Sequence, residues 1–226
     1  MNLADWKPVP LPAPLTLAGR LVTLEPLSST RHTHGIWQSV FGHDEVWRWL
    51  GDGPYSREED LATALAAKEA GTTAQFFAII PSSTADAVGY ASLMRMDPAN
   101  GVIEVGNVLF SPALQRTPAA TETLYLMACY IFDELGYRRY EWKCNALNLP
   151  SRRAAERLGF TFEGIFRQHM VIKGQNRDTA WYSMLDSEWP ARRQAFERWL
   201  APQNFDQDGR QRRALATFRQ DPTLAL

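Results

Sequence analysis

The stretch from residue 102 to residue 144 constrains the fold of this chain more than any other part of the sequence. Val102–Phe110 is apolar on both faces, which is typical of a central strand covered on both sides. A long helix with one apolar stripe is predicted over Pro118–Leu135, and Gly136 ends it. Tyr140–Cys144 is again strand-like. A strand, a helix and a strand in this order predict two parallel strands at the centre of a sheet.

The segments on either side extend this pair into a larger sheet. Further strands are predicted at Arg20–Leu27, Gln75–Ile80, Val88–Met94, Phe160–Gly164 and Thr179–Leu185. Further helices are predicted at Thr33–Phe41, Arg57–Ala70, Ser151–Leu158, 190–200 and 208–219. The order predicts an α/β fold with a mixed sheet. We expect an extended proline-rich arm at 1–18, one domain at 19–188, and a helical extension at 189–226 packed on that domain.

The charge balance excludes several classes of function. Lys and Arg total 24 and Asp and Glu total 25 among 226 residues. Such a balance gives no general reason to bind nucleic acid or an anionic membrane, so any anion is expected to be bound locally. No apolar run approaches the ~20 residues of a membrane span, and the first residues lack the features of a secretory signal. We therefore expect a cytoplasmic protein that binds neither nucleic acid nor membrane.

The start of the long helix is the first candidate for a binding site. Thr117 is the expected N-cap, and Pro118 stands at the first helical position. The first-turn N–H groups of a helix have no partner inside it, so a helix that starts after a buried strand can bind an anion. The alternative is an ordinary helix start, of which every α/β protein has several.

Several motifs in a fixed order carry a family resemblance. They are Gln115-Arg116-Thr117-Pro118-Ala119-Ala120, Asn148-Leu149-Pro150-Ser151, Leu158-Gly159-Phe160, Glu163-Gly164 and Glu188-Trp189. With these motifs the sequence resembles the GNAT superfamily of N-acetyltransferases over about residues 19–190, in particular its RimJ/RimL-type branch. In that family a loop of the form Q/R-x-x-G-x-G/A opens the long helix and holds a pyrophosphate. Here Pro118 and Ala120 replace its glycines, and proline lacks an N–H donor.

The resemblance implies a fold and a co-substrate. It implies a mixed sheet that splays between its fourth and fifth strands, here 102–110 and 140–144, with acetyl-CoA bound along the splayed edge and no metal. The cofactor-binding residues it implies are Val108, Leu109, Phe110, Gln115, Arg116, Thr117, Ala119, Ala120, Thr121, Asn148 and Ser151. The acetyl group is expected to pass directly to a primary amine, either a protein N-terminus or a small amine. The alternative is a non-catalytic protein of this fold that binds coenzyme A as a sensor or serves as an interaction module.

Two residues are the catalytic candidates. Glu104 lies in the apolar central strand, where burial is expected to raise its pKa, and the resemblance implies a general base at this place. The alternative is a structural carboxylate paired with a neighbouring Arg or Lys. The resemblance gives Ser151 the role of protonating the thiolate of coenzyme A, while the sequence equally suits an N-cap of a helix that begins at Arg152. Cys144 is interpreted as a small core residue, not as a nucleophile.

The acceptor side is expected to be aromatic. Trp47 and Trp49 fall in the 41–55 loop between the first two predicted helices, the part that frames the acceptor in GNAT enzymes. Trp181 lies in a final strand that reaches the same region. Asn107 is expected to help bind the reacting carbonyl oxygen. Acidic residues in the 41–55 segment would suit a cationic acceptor. The alternative is that the tryptophans pack the helices on the sheet. The oligomeric state is left open between monomer and homodimer.

Overall fold

The computed structural model describes residues 3–220, and its eight strands form one sheet in the order β1-β2-β3-β4-β5-β6-β8-β7. The strands are β1 (Leu17–Ala18), β2 (Val22–Pro26), β3 (Ala74–Pro81), β4 (Gly89–Asp97), β5 (Val102–Phe110), β6 (Arg139–Asn145), β7 (Thr161–Ile172) and β8 (Gln175–Leu185). The helices are α1 (Ser29–Val40), α2 (Glu58–Ala70), α3 (Pro118–Cys129), α4 (Leu149–Leu158), α5 (Trp189–Leu200) and α6 (Leu215–Arg219). No helix in this range has the length and apolar character needed to cross a membrane.

The predicted parallel pair is present, and it separates part-way along its length. β5 and β6 pair in parallel from Val102 opposite Arg139 to Val105 opposite Trp142. Beyond Val105 the two strands continue without pairing to each other. The splay between the fourth and fifth predicted strands is therefore confirmed. Within residues 3–220 the other neighbouring strands of the sheet pair antiparallel, which confirms a mixed α/β sheet.

A β-bulge in β5 coincides with the start of the splay. Gly106 pairs with Ser92 and Leu109 with Tyr90, so β5 carries one more residue than β4 over this stretch. Asn107 has a φ of 47°, in the left-handed region that Asn tolerates better than most residues. A bulge increases the local twist and bends the strand that carries it. The bend is our explanation for the separation of β5 from β6.

Both faces of the sheet are covered, and Glu104 lies on the face that α1 and α2 cover. Ile103 and Val105 pack in the larger core with α3, α4 and α5. Leu109 packs in the smaller core with α1 and α2. The partners of Glu104, Gly106 and Leu109 are alternate residues of β4, so these three residues of β5 share the α1–α2 face.

The two ends of the chain pack on this domain. Trp6 Nε1 donates to the Ala99 carbonyl at 2.7 Å, and the Ala13 N–H donates to the Tyr130 hydroxyl at 2.8 Å. At the other end α5 and α6 join the larger core. The residues 221–226 of the expected extension lie outside the described residues. The boundaries at 18 and 188 stay predictions.

The predicted hairpin at the end of the domain was too short. β7 reaches Ile172 and β8 begins at Gln175, whereas the sequence indicated strands over only Phe160–Gly164 and Thr179–Leu185. The outer half lacks a regular alternation of polar and apolar residues, and periodicity is the signal on which a strand prediction rests. At the tip of the hairpin, Lys173 Nζ donates to the Trp47 carbonyl at 3.0 Å.

The last predicted helix was too long. It was expected over 208–219, but only Leu215–Arg219 is helical. The Asp206 carboxylate accepts the N–H groups of Asp208 and Arg210 at 3.0 and 2.8 Å. An aspartate that binds backbone N–H groups two and four residues ahead stabilises a turn in place of a helix.

A buried carboxylate ties the β1–β2 turn to α3. Glu122 is 5% exposed, and its Oε2 accepts the N–H of Leu21 at 2.5 Å and that of Val22 at 3.0 Å. Gly19 leaves room for this carboxylate, because a Cβ there would lie 2.5 Å from Oε2. The first strands of the sheet are thereby fixed to the helix that starts at the candidate anion site.

We expect Glu122→Ala to lower the free energy of unfolding by about 3 kcal/mol, because two backbone donors lose a charged acceptor. Urea unfolding followed by circular dichroism measures the change. Glu134→Ala is the matched control, since Glu134 is exposed at the end of the π-helical turn Tyr130–Glu134 that follows α3, and it should change stability by less than about 0.5 kcal/mol. Equal effects of the two substitutions would contradict the anchoring role.

Candidate active site

A buried group of charges lies on the α1–α2 face where the β5–β6 pairing ends. Glu104 is 4% exposed, and its Oε2 lies 3.1 Å from Arg95 Nη1 and 3.0 Å from Lys143 Nζ. The ion pair that the sequence left as an alternative is therefore present. Both cations contact the same oxygen. Oε1 stays out of these ion pairs and lies beside Gly106, where an added Cβ would be 3.2 Å away.

Lys143 connects Glu104 to a second carboxylate. Its Nζ lies 2.6 Å from Glu141 Oε2 and 3.9 Å from the centre of the Trp181 ring. Arg139 binds Glu141 at 2.7 Å and also binds Glu163. Burial alone would raise the pKa of Glu141, but the hydrogen bonds from Lys143 and Arg139 outweigh burial and hold that pKa below its usual value. Glu141 is therefore charged at neutral pH and restrains the Lys143 ammonium.

The loop between β5 and α3 is fixed at both ends. Thr117 caps α3 as predicted, since its Oγ1 accepts the Ala120 N–H at 3.1 Å and donates to the Leu114 carbonyl at 2.7 Å. Gln115 Nε2 donates to the Phe110 carbonyl at 2.9 Å. The loop is thus held to the end of the splayed strand.

The start of α3 offers few N–H groups to a ligand. Pro118 has none, and the Ala120 N–H is bound by Thr117. The Ala119 N–H has no acceptor inside the helix, because the first turn precedes the first intrahelical bond. Arg116 is exposed, and its φ of 62° lies in the left-handed region. An anion at this helix start would meet the Ala119 N–H and the charge of Arg116.

Four other expected cofactor residues face away from this loop or pack in the cores. Thr121 is buried, and its Oγ1 accepts from Arg157 Nη1 at 3.1 Å, which joins α3 to α4. The Leu109 side chain is buried in the smaller core, and Val108 and Phe110 pack against the larger one. Only the backbone of this part of β5 is left to face the splay.

The opposite wall of the splay ends at the start of α4. The predicted cap was one turn too late: α4 begins at Leu149, and Asn148 is the N-cap, with Oδ1 accepting the Ser151 N–H at 3.2 Å. Ser151 lies in the first turn, and its Oγ accepts from Trp142 Nε1 at 3.0 Å. The sequence misled because Pro150 at the second helical position is compatible with a helix that is already under way.

A cavity of about 390 Å³ opens beside the bulge. Among its lining residues are Asn107, Asp52, Tyr55, Lys68 and Phe76. The Tyr55 hydroxyl donates to Asp52 at 2.8 Å, and Lys68 Nζ lies 2.6 Å from the same carboxylate oxygen. Burial raises the pKa of Tyr55, and the Asp52 carboxylate raises it further. The charge of Asp52 is therefore already balanced within the protein.

The tryptophans do not form one wall. Trp47 is 2% exposed and packs in the smaller core, so the packing alternative describes it. Trp49 is half-buried beneath the Arg48 guanidinium, 4.9 Å from its ring centre. Neither lines the cavity at Asn107. Trp181 lines a separate cavity of about 330 Å³.

Comparison with known proteins assigns the family. The Acetyltransferase (GNAT) domain model matches residues 21–161. The chain belongs to the GNAT acetyltransferase family. A GCN5-related N-acetyltransferase from Brucella melitensis, known from its crystal structure, is 48% identical with a TM-score of 0.93, covering 95% of this chain and 98% of that one.

Two further proteins are similar at lower sequence identity. YnaD of Bacillus subtilis, named an uncharacterized N-acetyltransferase, is 26% identical over 156 residues, which are 68% of this chain and 89% of YnaD. RimL, named a ribosomal L7/L12 alpha-N-protein acetyltransferase, has a TM-score of 0.63 at 20% identity, covering 76% of this chain and 94% of that one. The likeness to RimL shows a shared fold. GNAT acetyltransferases take their acetyl group from acetyl-CoA, and the predicted enzyme class is confirmed.

Sequence reasoning missed much of the charge around this GNAT splay. Arg95, Lys143 and Arg177 were not among the candidates, and neither was Lys68. The alternation of Glu141, Trp142 and Lys143 along β6 was the available signal, because it puts both charges on one face of a central strand. Within residues 3–220 no group of three or more His, Cys, Asp and Glu could hold a metal ion.

We expect both thiols to be unreactive in the folded GNAT domain. Burial raises the pKa of Cys129 to about 11 and also raises that of Cys144. At pH 8, native protein should react with an aromatic disulfide reagent at least about a hundredfold more slowly than a free thiol. Both cysteines should react promptly in guanidinium chloride. Fast labelling of the native protein would show that one of the thiols is an accessible nucleophile.

Proposed function

We propose that this protein transfers an acetyl group from acetyl-CoA to a primary amine by direct attack within a ternary complex. The observation that carries the proposal is the separation of β5 and β6 after Val105 and Trp142. Glu104 lies next to the start of the gap, on the face of the sheet that also carries the cavity at Asn107. A donor bound in the gap and an acceptor bound in the cavity can therefore meet beside Glu104.

The residues around the gap fit coenzyme A. The pantetheine arm can pair with the backbone of Val108–Phe110, in the way an added strand pairs with a sheet edge. The Asn148 cap uses Oδ1 and leaves the Nδ2 amide to donate to the same arm. The Ala119 N–H and Arg116 are the groups we assign to the pyrophosphate, because an anion is favoured at a helix start.

The roles of the two catalytic candidates follow from their partners. Acetyl-CoA supplies a thioester whose carbonyl carbon is attacked by the amine and whose sulfur leaves as a thiolate. We assign Glu104 Oε1 to accept the proton of the amine, directly or through water, while Arg95 and Lys143 hold Oε2 in position. Ser151 accepts from Trp142 and keeps one hydroxyl hydrogen to donate, which we assign to the departing sulfur. The backbone at Asn107 and Val108 is assigned to the carbonyl oxygen.

A second candidate function rests on the helix start. Pro118 removes one donor and Thr117 occupies another, so the pyrophosphate would have fewer backbone contacts than a glycine loop gives. A protein that binds coenzyme A weakly and acts as a sensor has this property. Stabilisation by acetyl-CoA without thiol release on any amine would favour this second function.

We expect acetyl-CoA at a hundred times its Kd to stabilise the folded protein by about 2.7 kcal/mol, a rise in Tm of about 5–10 °C. Differential scanning fluorimetry measures the shift, and release of free thiol with a panel of amines measures turnover. The absence of a shift at millimolar acetyl-CoA would contradict the proposed donor.

Arg116→Gly should separate charge from strain at the helix start. Loss of the charge should raise the Kd for coenzyme A about fivefold. Relief of the left-handed backbone should raise the free energy of unfolding by up to about 1 kcal/mol. Arg116→Ala is the matched control, because it loses the charge and keeps the strain. If Arg116→Gly binds coenzyme A as tightly as the unmodified protein, Arg116 has no part in the site.

Glu104→Gln should lower kcat at least about a hundredfold while the KM for acetyl-CoA changes less than about twofold, as expected for loss of a general base. The variant also weakens the ion pairs, so unfolding is measured alongside. Glu141→Gln is the matched control, since it removes the other carboxylate that binds Lys143. If the two variants lose the same stability and the same kcat, Glu104 acts only as a member of a structural ion pair and not as a base.

A further inference from the structure

The face of the sheet beside Glu104 carries more positive than negative charge. Arg95 spans from Glu104 to the hairpin, where its Nη2 lies 3.9 Å from Met170 Sδ. Met170 pairs with Arg177 across β7 and β8. His169, the neighbour of Met170, is bound to Thr179 at 2.9 Å. The outer half of the hairpin, which the sequence did not predict, thus brings Arg177 towards Arg95.

Arg177 has no acceptor for a buried donor. Its Nε is inaccessible to solvent and makes no hydrogen bond within residues 3–220. Burial lowers the pKa of the Arg177 guanidinium, and the nearby charge of Arg95 lowers it further. A buried guanidinium nitrogen without a partner is costly in free energy. Within the described residues no group accepts a hydrogen bond from this Nε, although the charge of Glu104 acts on the guanidinium.

The carboxylates near Arg177 are already engaged by other cations. Glu104 is shared by Arg95 and Lys143, and Glu141 is shared by Lys143 and Arg139. Among residues 3–220 no carboxylate forms an ion pair with Arg177. With Glu163, which also binds Arg139, the cluster holds four cations and three carboxylates, so one negative charge brought by a ligand would balance it.

The acidic residues that were expected to suit a cationic acceptor do not offset this cluster. Asp52 lines the cavity at Asn107, but Lys68 and Tyr55 bind its carboxylate. Asp44 and Glu45 are exposed. The charges available to an acceptor thus differ from the expectation of a cationic acceptor: one carboxylate oxygen, Glu104 Oε1, and the Arg177 guanidinium.

We infer that the acceptor carries a carboxylate close to its amine, and that Arg177, supported by Arg95, binds that carboxylate while the amine faces Glu104. An arginine fork matches the geometry of a carboxylate and binds it through two parallel hydrogen bonds. The carboxylate belongs either to a free amino acid or to an acidic residue near the N-terminus of a peptide. This inference rests on the proposed acetyl transfer and deepens it, because it selects among amines.

Matched pairs of acceptors test the inference and distinguish the two sources. Phenylalanine is compared with phenylalaninamide, and the amidated tripeptide Ser-Asp-Ala with amidated Ser-Asn-Ala. Each is assayed by thiol release with the unmodified protein, with Arg177→Met and with Arg167→Met. Arg167 is the matched control because it is exposed on the same hairpin. The amine pKa differs within a pair, so the measured quantity is the effect of each substitution on each acceptor.

We expect Arg177→Met to lower kcat/KM for the carboxylate member of at least one pair about 10- to 100-fold, as loss of a charged hydrogen bond does. Its uncharged partner should change less than about twofold, and Arg167→Met should leave all four acceptors within about twofold. A loss confined to phenylalanine indicates an amino acid acceptor, and a loss confined to the Asp tripeptide indicates a peptide.

Equal effects of Arg177→Met on charged and uncharged acceptors would overturn the inference and leave acetyl transfer intact. If no amine is acetylated, the proposed function fails, and calorimetric binding of phenylalanine and of the Asp tripeptide to the coenzyme A-loaded protein still tests the anion site. If Arg177→Met binds these two ligands as tightly as the unmodified protein does, the calorimetry also overturns the inference. If Arg177→Met does not fold, Arg177→Lys, which keeps the charge and loses the fork, should lower kcat/KM for the carboxylate acceptor only.

Discussion

The end of backbone pairing between β5 and β6 is the constraint on which the rest of the site depends. Two parallel central strands are normally joined along their length, and the hydrogen bonds given up here must be made elsewhere. The extra residue at Asn107 bends β5 away from β6. This loss of pairing is tolerated because the side chains of both strands remain packed in the cores on either face. An edge is thereby created in the middle of a sheet.

A network of buried charges closes the paired end of this gap. Glu104, Lys143 and Glu141 are each less than a tenth exposed, so each depends on the others for its charge balance. Buried ion pairs contribute little net stability, but removal of one partner is costly. The network therefore fixes the orientation of Glu104 more than it stabilises the fold. The two cations hold Glu104 Oε2, while Oε1 lies beside Gly106 at the start of the splay.

The sequence predicted what depends on local chemistry. The apolar central strand, the Thr117 cap and Pro118 at the first helical position follow from neighbouring residues, and the family motifs place the splay. The ion pair of Glu104 was foreseen only as an alternative, because its partners Arg95 and Lys143 come from two other strands whose register is a tertiary property. The outer half of the β7–β8 hairpin lacks periodicity, so Arg177 could not be located. Trp47 is a core residue although most of the 41–55 segment is exposed or half-buried, a difference that depends on tertiary packing.

The tip of the β7–β8 hairpin contacts the segment before α2. Lys173 and Trp47 lie far apart in the chain, yet one side chain bonds the carbonyl of the other. The two segments that meet there lie outside the β5–β6 gap and its loop. Insertions or deletions in either segment can therefore change the proposed acceptor side without altering the β5–β6 gap or the loop before α3. The fold thus separates the proposed donor site, built on the central strands, from a rim built on two peripheral segments.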